Sequence, residues 1–149
     1  MKYIGKDIEL LIPQRIPFVM VDEFEEVELP ASEERITGAS CTTSLFVRRD
    51  NYFILTDGEI SESGLIEHIA QSASALAGYE AVRHDAQRPP VGMIAEVRRF
   101  VCHRRPRAGE LITTTVTFGF SLGSMTLCHG ISCIADDIVC EVDLKIYIK

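Results

Sequence analysis

At 149 residues, 46% hydrophobic and 25% charged, the chain has the make-up of a folded globular domain long enough to bury its own core. Its net charge of −7, from 15 basic and 22 acidic residues, argues against a general nucleic-acid binder. No apolar run reaches membrane-spanning length, and Lys2 and Lys6 precede a broken pattern rather than a signal peptide, so one cytoplasmic domain over residues 1–149 with no membrane association is expected.

In chain order, Ile8 to Leu11 predicts a short amphipathic turn. The segment LIPQRIPFVMVDEF follows, and Pro13 and Pro17 bracketing Gln14 to Ile16 make its first half a fixed loop. Phe18 to Glu28 reads as a strand, Pro30 to Glu33 as a turn, and Glu34 to Phe46 as a second strand in which Ile36, Gly38 and Ser40 alternate with Thr37, Ala39 and Cys41. Val47 to Ile60 has no regular period, and Asp57-Gly58 inside it signals a turn.

The next stretch, SESGLIEHIAQSASALAGYE from Ser61 to Glu80, predicts one long helix ending near Arg83-His84. Ser61 and Ser63 are N-cap candidates, and cations suit a helix C-terminus. Leu65, Ile66, Ile69, Ala70, Ala73, Leu76 and Ala77 spread over more than one face, the mark of a buried helix. Many of its residues are small, which lets strands approach the axis closely. At about 100° per residue, Glu67, Gln71, Ser74 and Gly78 share one stripe, and His68 lies about 100° away with Ser72, Ala75 and Tyr79. Glu67 is therefore the most informative residue in the chain, because a carboxylate on a buried helix is costly unless it is paired or neutralised.

From Val91 the pattern is all β: Val91 to His103, Glu110 to Leu122, Ser124 to Ala135 and Ile138 to Ile148. The short breaks at Gly123 and Asp136-Asp137 predict hairpins and an antiparallel meander, so the layout is α+β. The five cysteines sit in strand-like apolar surroundings and read as reduced core thiols. Cys102-His103 and Cys128-His129 are adjacent pairs that point to opposite faces of a strand, and no C-x-x-C occurs, so no metal site is expected.

Taken together, four stretches resemble the bacterial 3-hydroxyacyl-[acyl carrier protein] dehydratases. LIPQRIPFVMVDEF resembles their Leu-Pro-His-Arg-Tyr/Phe-Pro-Phe-Leu-Leu-Val-Asp opening, and LIEHIAQSASALAG their Ile-Glu-Ala-Met-Ala-Gln helix. VRRFVCHRRPRAGELITTTVTF resembles their Ala-Arg-Phe-Lys-Arg-Pro strand turn, and DDIVCEVDLKIYI is similar to their closing strand. The pattern is closer to a divergent branch of aryl-polyene-type pigment clusters. The resemblance implies a hot-dog fold, an antiparallel sheet wrapped around a central helix, with two copies pairing edge to edge and acyl tunnels at their interface. It implies an acyl thioester or acyl carrier protein as partner, in fatty acid or polyene-type biosynthesis, a homodimer or a heterodimer with a homologous dehydratase, and no cofactor.

The family's helix carboxylate falls on Glu67, and Gln71 matches its Gln. The family's catalytic His precedes the helix. Here Tyr52-Phe53-Ile54-Leu55 stands at that distance, and no His lies between Met1 and Glu67. Dehydration of a 3-hydroxyacyl thioester needs a base for the C2 proton, an acid for the leaving hydroxyl and donors for the thioester oxygen. Glu67 would serve as acid or base, and the helix-start amides near Gly64 and Leu65 would be the donors, with Gln71 also at the substrate. His68, Asp57 and Tyr52 are candidates for the second group. For His68 the alternative is a residue packed between helix and sheet. Three functional readings stay open: a working lyase, a non-catalytic partner subunit, and a thioesterase whose helix carboxylate activates water. The basic cluster Arg98, Arg99, Arg104, Arg105 and Arg107 is the candidate carrier-docking surface, its alternative being a solvated strand edge. A dimer interface is expected near Val47 to Ile60 and the helix start.

Overall fold

The computed structural model describes residues 2–28 and 38–148. Among these residues, seven strands form one antiparallel sheet in the order β1-β2-β3-β5-β6-β7-β4, wrapped on a single long helix. The strands are β1 (Lys2–Ile4), β2 (Glu23–Glu28), β3 (Ser40–Phe46), β4 (Gly92–Cys102), β5 (Leu111–Leu122), β6 (Met125–Ile134) and β7 (Asp137–Ile148), and the helix is α1 (Glu62–Arg83). This is the hot-dog architecture that the resemblance implies. A 3-10 turn, Gly5–Leu10, buries Ile8 where the amphipathic turn was expected.

The helix starts as its sequence demands: Ser61 is extended, and its Oγ accepts from the Gly64 amide at 3.0 Å. Every residue from Gln71 to Glu80 is buried, along with Gly64, Leu65, His68 and Ile69. Burial all round the axis is possible because small residues permit close approach. A Cβ on Gly130 of β6 would lie 2.4 Å from the Cγ2 of Ile69, and one on Gly78 would lie 1.9 Å from the Leu11 carbonyl oxygen. The glycine at the far end of the polar stripe thus meets the loop before β2, not a strand.

The meander expectation holds for β5, β6 and β7, joined by tight hairpins in which Gly123 and Ala135 adopt positive φ. β4 departs from it. It pairs with β7 alone and forms one border of the sheet, with Met93, Ile94, Val97 and Val101 all exposed. The other border is the three-residue β1.

The strand expected from Phe18 begins only at Glu23. The Phe18 carbonyl and both backbone groups of Met20 make hydrogen bonds to side chains of α1 instead of a neighbouring strand. The expected turn at Pro30 to Glu33 and the first residues of the strand from Glu34 lie outside the described residues. Among the described residues, no helix is long and apolar enough to cross a membrane.

Candidate active site

The exposed border of the sheet and the polar stripe of α1 meet at a cleft of about 310 Å³. The helix contributes Glu67, Ala70, Gln71 and Ser74; the Pro-bracketed loop contributes Gln14; β4 contributes Gly92, Met93 and Ile94; and β7 contributes Ile146. The periodicity of the helix thus brings Glu67, Gln71 and Ser74 to one wall. Gln14 and the β4 residues enter only through the tertiary arrangement. The Oε1 of Gln14 and the Oγ of Ser74 are buried here without a hydrogen-bond partner among the described residues.

Glu67 is partly buried, and one of its oxygens is held in place. Gln71, one turn on, donates from Nε2 to Glu67 Oε1 at 2.8 Å and to the Phe18 carbonyl at 2.7 Å, while its Oε1 accepts from the Met20 amide at 2.6 Å. The Met20 amide can only donate, so the orientation of the Gln71 side chain follows from chemistry. Both amide hydrogens are used. Gln71 is therefore a bracket that ties the loop to the helix and orients Glu67 through Oε1.

His68, the candidate second group, is not part of the cleft. It is completely buried between α1 and the sheet, which is the alternative named for it from sequence. Its Nδ1 lies 2.6 Å from the Met20 carbonyl and its Nε2 lies 2.7 Å from Thr114 Oγ1. A carbonyl can only accept, so Nδ1 carries the proton, and Nε2 accepts from the Thr114 hydroxyl. Thr114 Oγ1 is then left to accept from Ser132 Oγ at 2.7 Å. Burial pushes the His68 pKa down to about 4 and holds the ring neutral. With both nitrogens committed, the ring has no position from which to exchange a proton with a ligand.

The helix-start amides need a similar correction. The Gly64 amide is capped by Ser61 Oγ, and the Leu65 amide donates to the Ser61 carbonyl at 3.1 Å. Both are consumed by the capping that starts the helix. Gly64 packs against Phe53 and Ile60, and Leu65 is fully buried. Neither residue lines the cleft.

Of the loop candidates, Tyr52 is exposed and stacks edge-on against Phe18 at 4.7 Å between ring centroids. Asp57 accepts from the Glu59 amide at 2.9 Å. Neither lines the cleft.

The basic cluster is largely spent on neighbouring carboxylates. Arg104 grips Glu110 through two bonds of 2.9 and 2.8 Å, which holds the Glu110 carboxyl down at about 2. Arg105 and Arg107 reach Glu59 at 3.2 and 3.3 Å, Arg98 reaches Glu96 at 3.5 Å and Arg99 reaches Asp143 at 3.4 Å. Arg105 and Arg107 staple the turn before β5 to the loop before α1, and the exposed pairs of the cluster contribute little stability individually.

The comparisons with known proteins agree with this fold. A family model described as ApeP dehydratase (ApeP-like) matches residues 6–147. The dehydratase heterocomplex ApeI:P from Xenorhabdus doucetiae is 15% identical with a TM-score of 0.80, over 95% of this chain and 90% of that one. A hypothetical thioesterase protein with coenzyme A from Streptococcus pneumoniae TIGR4 is 8% identical with a TM-score of 0.61, over 85% of both chains. The uncharacterized protein PH1136 from Pyrococcus horikoshii is 9% identical with a TM-score of 0.62, over 95% of this chain and 92% of that one. No curated protein sequence matches the chain.

Proposed function

The chain belongs to the ApeP-like dehydratase family, and from that premise we propose that it is a cytoplasmic dehydratase subunit for 3-hydroxyacyl thioesters, completed by a homologous partner seated along β4. The observation that carries this reading is a single one. Among the described residues, Glu67 is the one titratable group lining a cleft whose outer wall is an edge strand.

The reaction needs two proton transfers. One removes the proton from C2; the other delivers a proton to the C3 hydroxyl, which leaves as water while the C2–C3 double bond forms. Glu67, oriented by Gln71, is suited to one of these transfers. The second group then comes from across the β4 border, where the free N–H and C=O groups of the strand and the exposed Met93, Ile94, Val97 and Val101 are covered when another sheet pairs there. The solved dehydratase heterocomplex ApeI:P supports a homologous but distinct subunit as partner. An acyl carrier protein as bearer of the thioester belongs to the same proposal.

The test is enoyl-thioester formation from a 3-hydroxyacyl thioester, followed spectrophotometrically, with the chain alone and mixed with a homologous dehydratase. Glu67→Gln keeps the size of the side chain but cannot shuttle a proton, and is expected to lower turnover by about two to four orders of magnitude with the fold intact. Full turnover by Glu67→Gln refutes the assignment. A mixture no faster than the partner alone makes this chain a non-catalytic subunit. The same samples are assayed for free thiol, because a hot-dog neighbour described as a thioesterase brings hydrolysis into view as the second reading. Thiol release without enoyl product would select it.

A further inference from the structure

A second cavity, of about 440 Å³, opens between the loop before α1 and the turn before β5. Its walls carry two guanidinium groups, Arg49 and Arg107, with Thr56, Gly58, Ile54 and Leu55, and no carboxylate. In a chain of net charge −7 this is an unusual concentration of one sign. Arg107 is fixed over Gly58, donating to the Asp57 carbonyl at 2.9 Å and reaching Glu59 at 3.3 Å. Arg49 differs from the neighbouring Arg48, which pairs with Asp50 at 2.9 Å. It is exposed, and no carboxylate among the described residues lies within ion-pair distance of it. One guanidinium is thus pre-positioned and partly neutralised, and the other is free to close on an anion.

A chain of neighbouring residues leads from the cleft towards this cavity. Glu67 touches Gln71, Gln71 touches Phe18, the Phe18 ring lies 4.7 Å from that of Tyr52, and Tyr52 lies 5.4 Å from Phe53. The next two residues, Ile54 and Leu55, are walls of the second cavity. Phe18, Tyr52 and Leu55 are all exposed along this path.

We propose that the Arg49–Arg107 cavity is an anion subsite that holds the phosphate at the far end of a thioester arm while the acyl group lies beside Glu67. This rests on the thioester reading above. The chemistry fits: biological acyl thioesters hang from a long pantetheine arm that ends in a phosphate, whether the arm belongs to coenzyme A or to a carrier protein. Guanidinium forks match phosphate oxygens, the Thr56 hydroxyl adds a donor, and Gly58 leaves room where a side chain would stand. The apolar path from Phe18 to Leu55 suits the body of the arm.

Titration calorimetry of the full chain with 4′-phosphopantetheine and with pantetheine tests this directly. Wild type is expected to bind the phosphorylated arm roughly ten- to a hundredfold more tightly, the value of one or two charge-assisted hydrogen bonds. Arg49→Ala should erase that preference without changing pantetheine binding, and Arg49→Lys should keep part of it. Arg49 makes none of the described contacts that build the fold, so the variant is expected to melt like wild type. Equal binding of both arms by wild type overturns the subsite and leaves the thioester reading standing. Binding of neither arm, by the chain alone and by its mixture with a homologous dehydratase, overturns both. A preference that survives Arg49→Ala places the phosphate elsewhere and also overturns the proposal. Repeating the titration with coenzyme A and with a phosphopantetheinylated carrier protein separates the sources: weakening by Arg49→Ala with either one supports the subsite and identifies the arm it serves.

Discussion

Acidification from pH 7 to pH 5 should destabilise the folded chain by about 2 kcal/mol through one side chain, His68. In the unfolded chain its imidazole has the ordinary pKa of 6.5; in the folded protein burial lowers this to about 4. The folded ring therefore stays neutral across a range in which the unfolded ring takes up a proton. The sign follows: the contribution is fully present above the unfolded pKa, is lost as pH falls from 6.5 towards 4, and is exhausted below that. At pH 5 the unfolded ring is about 97% protonated and the folded ring about 10%, which gives the figure of about 2 kcal/mol from proton linkage. The residue is completely buried, so no solvent screening reduces it. The assay is urea unfolding of wild type and His68→Gln at pH 7, 6 and 5. The variant should be less stable than wild type at pH 7, because Met20 and Thr114 lose their partner, but should show a pH dependence shallower by about 2 kcal/mol over this interval. The exposed histidines and the surface carboxylates are common to both proteins and cancel. Equal pH dependence in the two proteins would refute the argument and reopen His68 as a group accessible to protons and ligands.

Gln71→Leu leaves the Met20 amide and the Phe18 carbonyl without their side-chain partner, and should cost about 2–4 kcal/mol in urea unfolding and lower turnover at least tenfold by releasing Glu67; unchanged kinetics would remove it as the positioning residue. Gly78→Ala drives a methyl group to 1.9 Å from the Leu11 carbonyl oxygen and should cost about 3 kcal/mol or more, whereas Gly119→Ala, whose nearest neighbour is at 3.7 Å, should melt within a few degrees of wild type. Val97→Lys, on the exposed border strand, should leave the melting curve of the isolated chain unchanged but abolish association by light scattering with itself or with a homologous dehydratase. An unchanged mass in that experiment would move the interface away from β4, towards the Val47 to Ile60 segment expected from sequence.

Local chemistry made much of this molecule legible in advance. The cap at Ser61, the end of α1 at Arg83 and the hairpins at Gly123 and at Asp136 are decided by residues within a few positions of one another. So is the alignment of Glu67 with Gln71 and Ser74, because helical period alone sets it. Phe18 to Asp22 failed as a strand for the opposite reason. Its alternation is real, but the Phe18 carbonyl and both backbone groups of Met20 bond to the side chains of Gln71 and His68, about fifty positions away, and the Phe18 N–H turns back to the Arg15 carbonyl.

The candidate site divides along the same line. The sequence by itself determined the buried helix, the wrapping strands and the carboxylate on the polar stripe, since propensity, capping and periodicity act over a few residues. Only the tertiary structure decided what surrounds that carboxylate. Gln14 and β4 form the opposite wall of the cleft because β4 crosses to pair with β7 and not with its neighbour in sequence, and strand order carries no local signal. The tertiary structure also decided that His68 is sealed and that the amides of Gly64 and Leu65 are spent. A hydrogen bond satisfies one partner at a time, and which partner wins depends on what the fold brings within 3 Å.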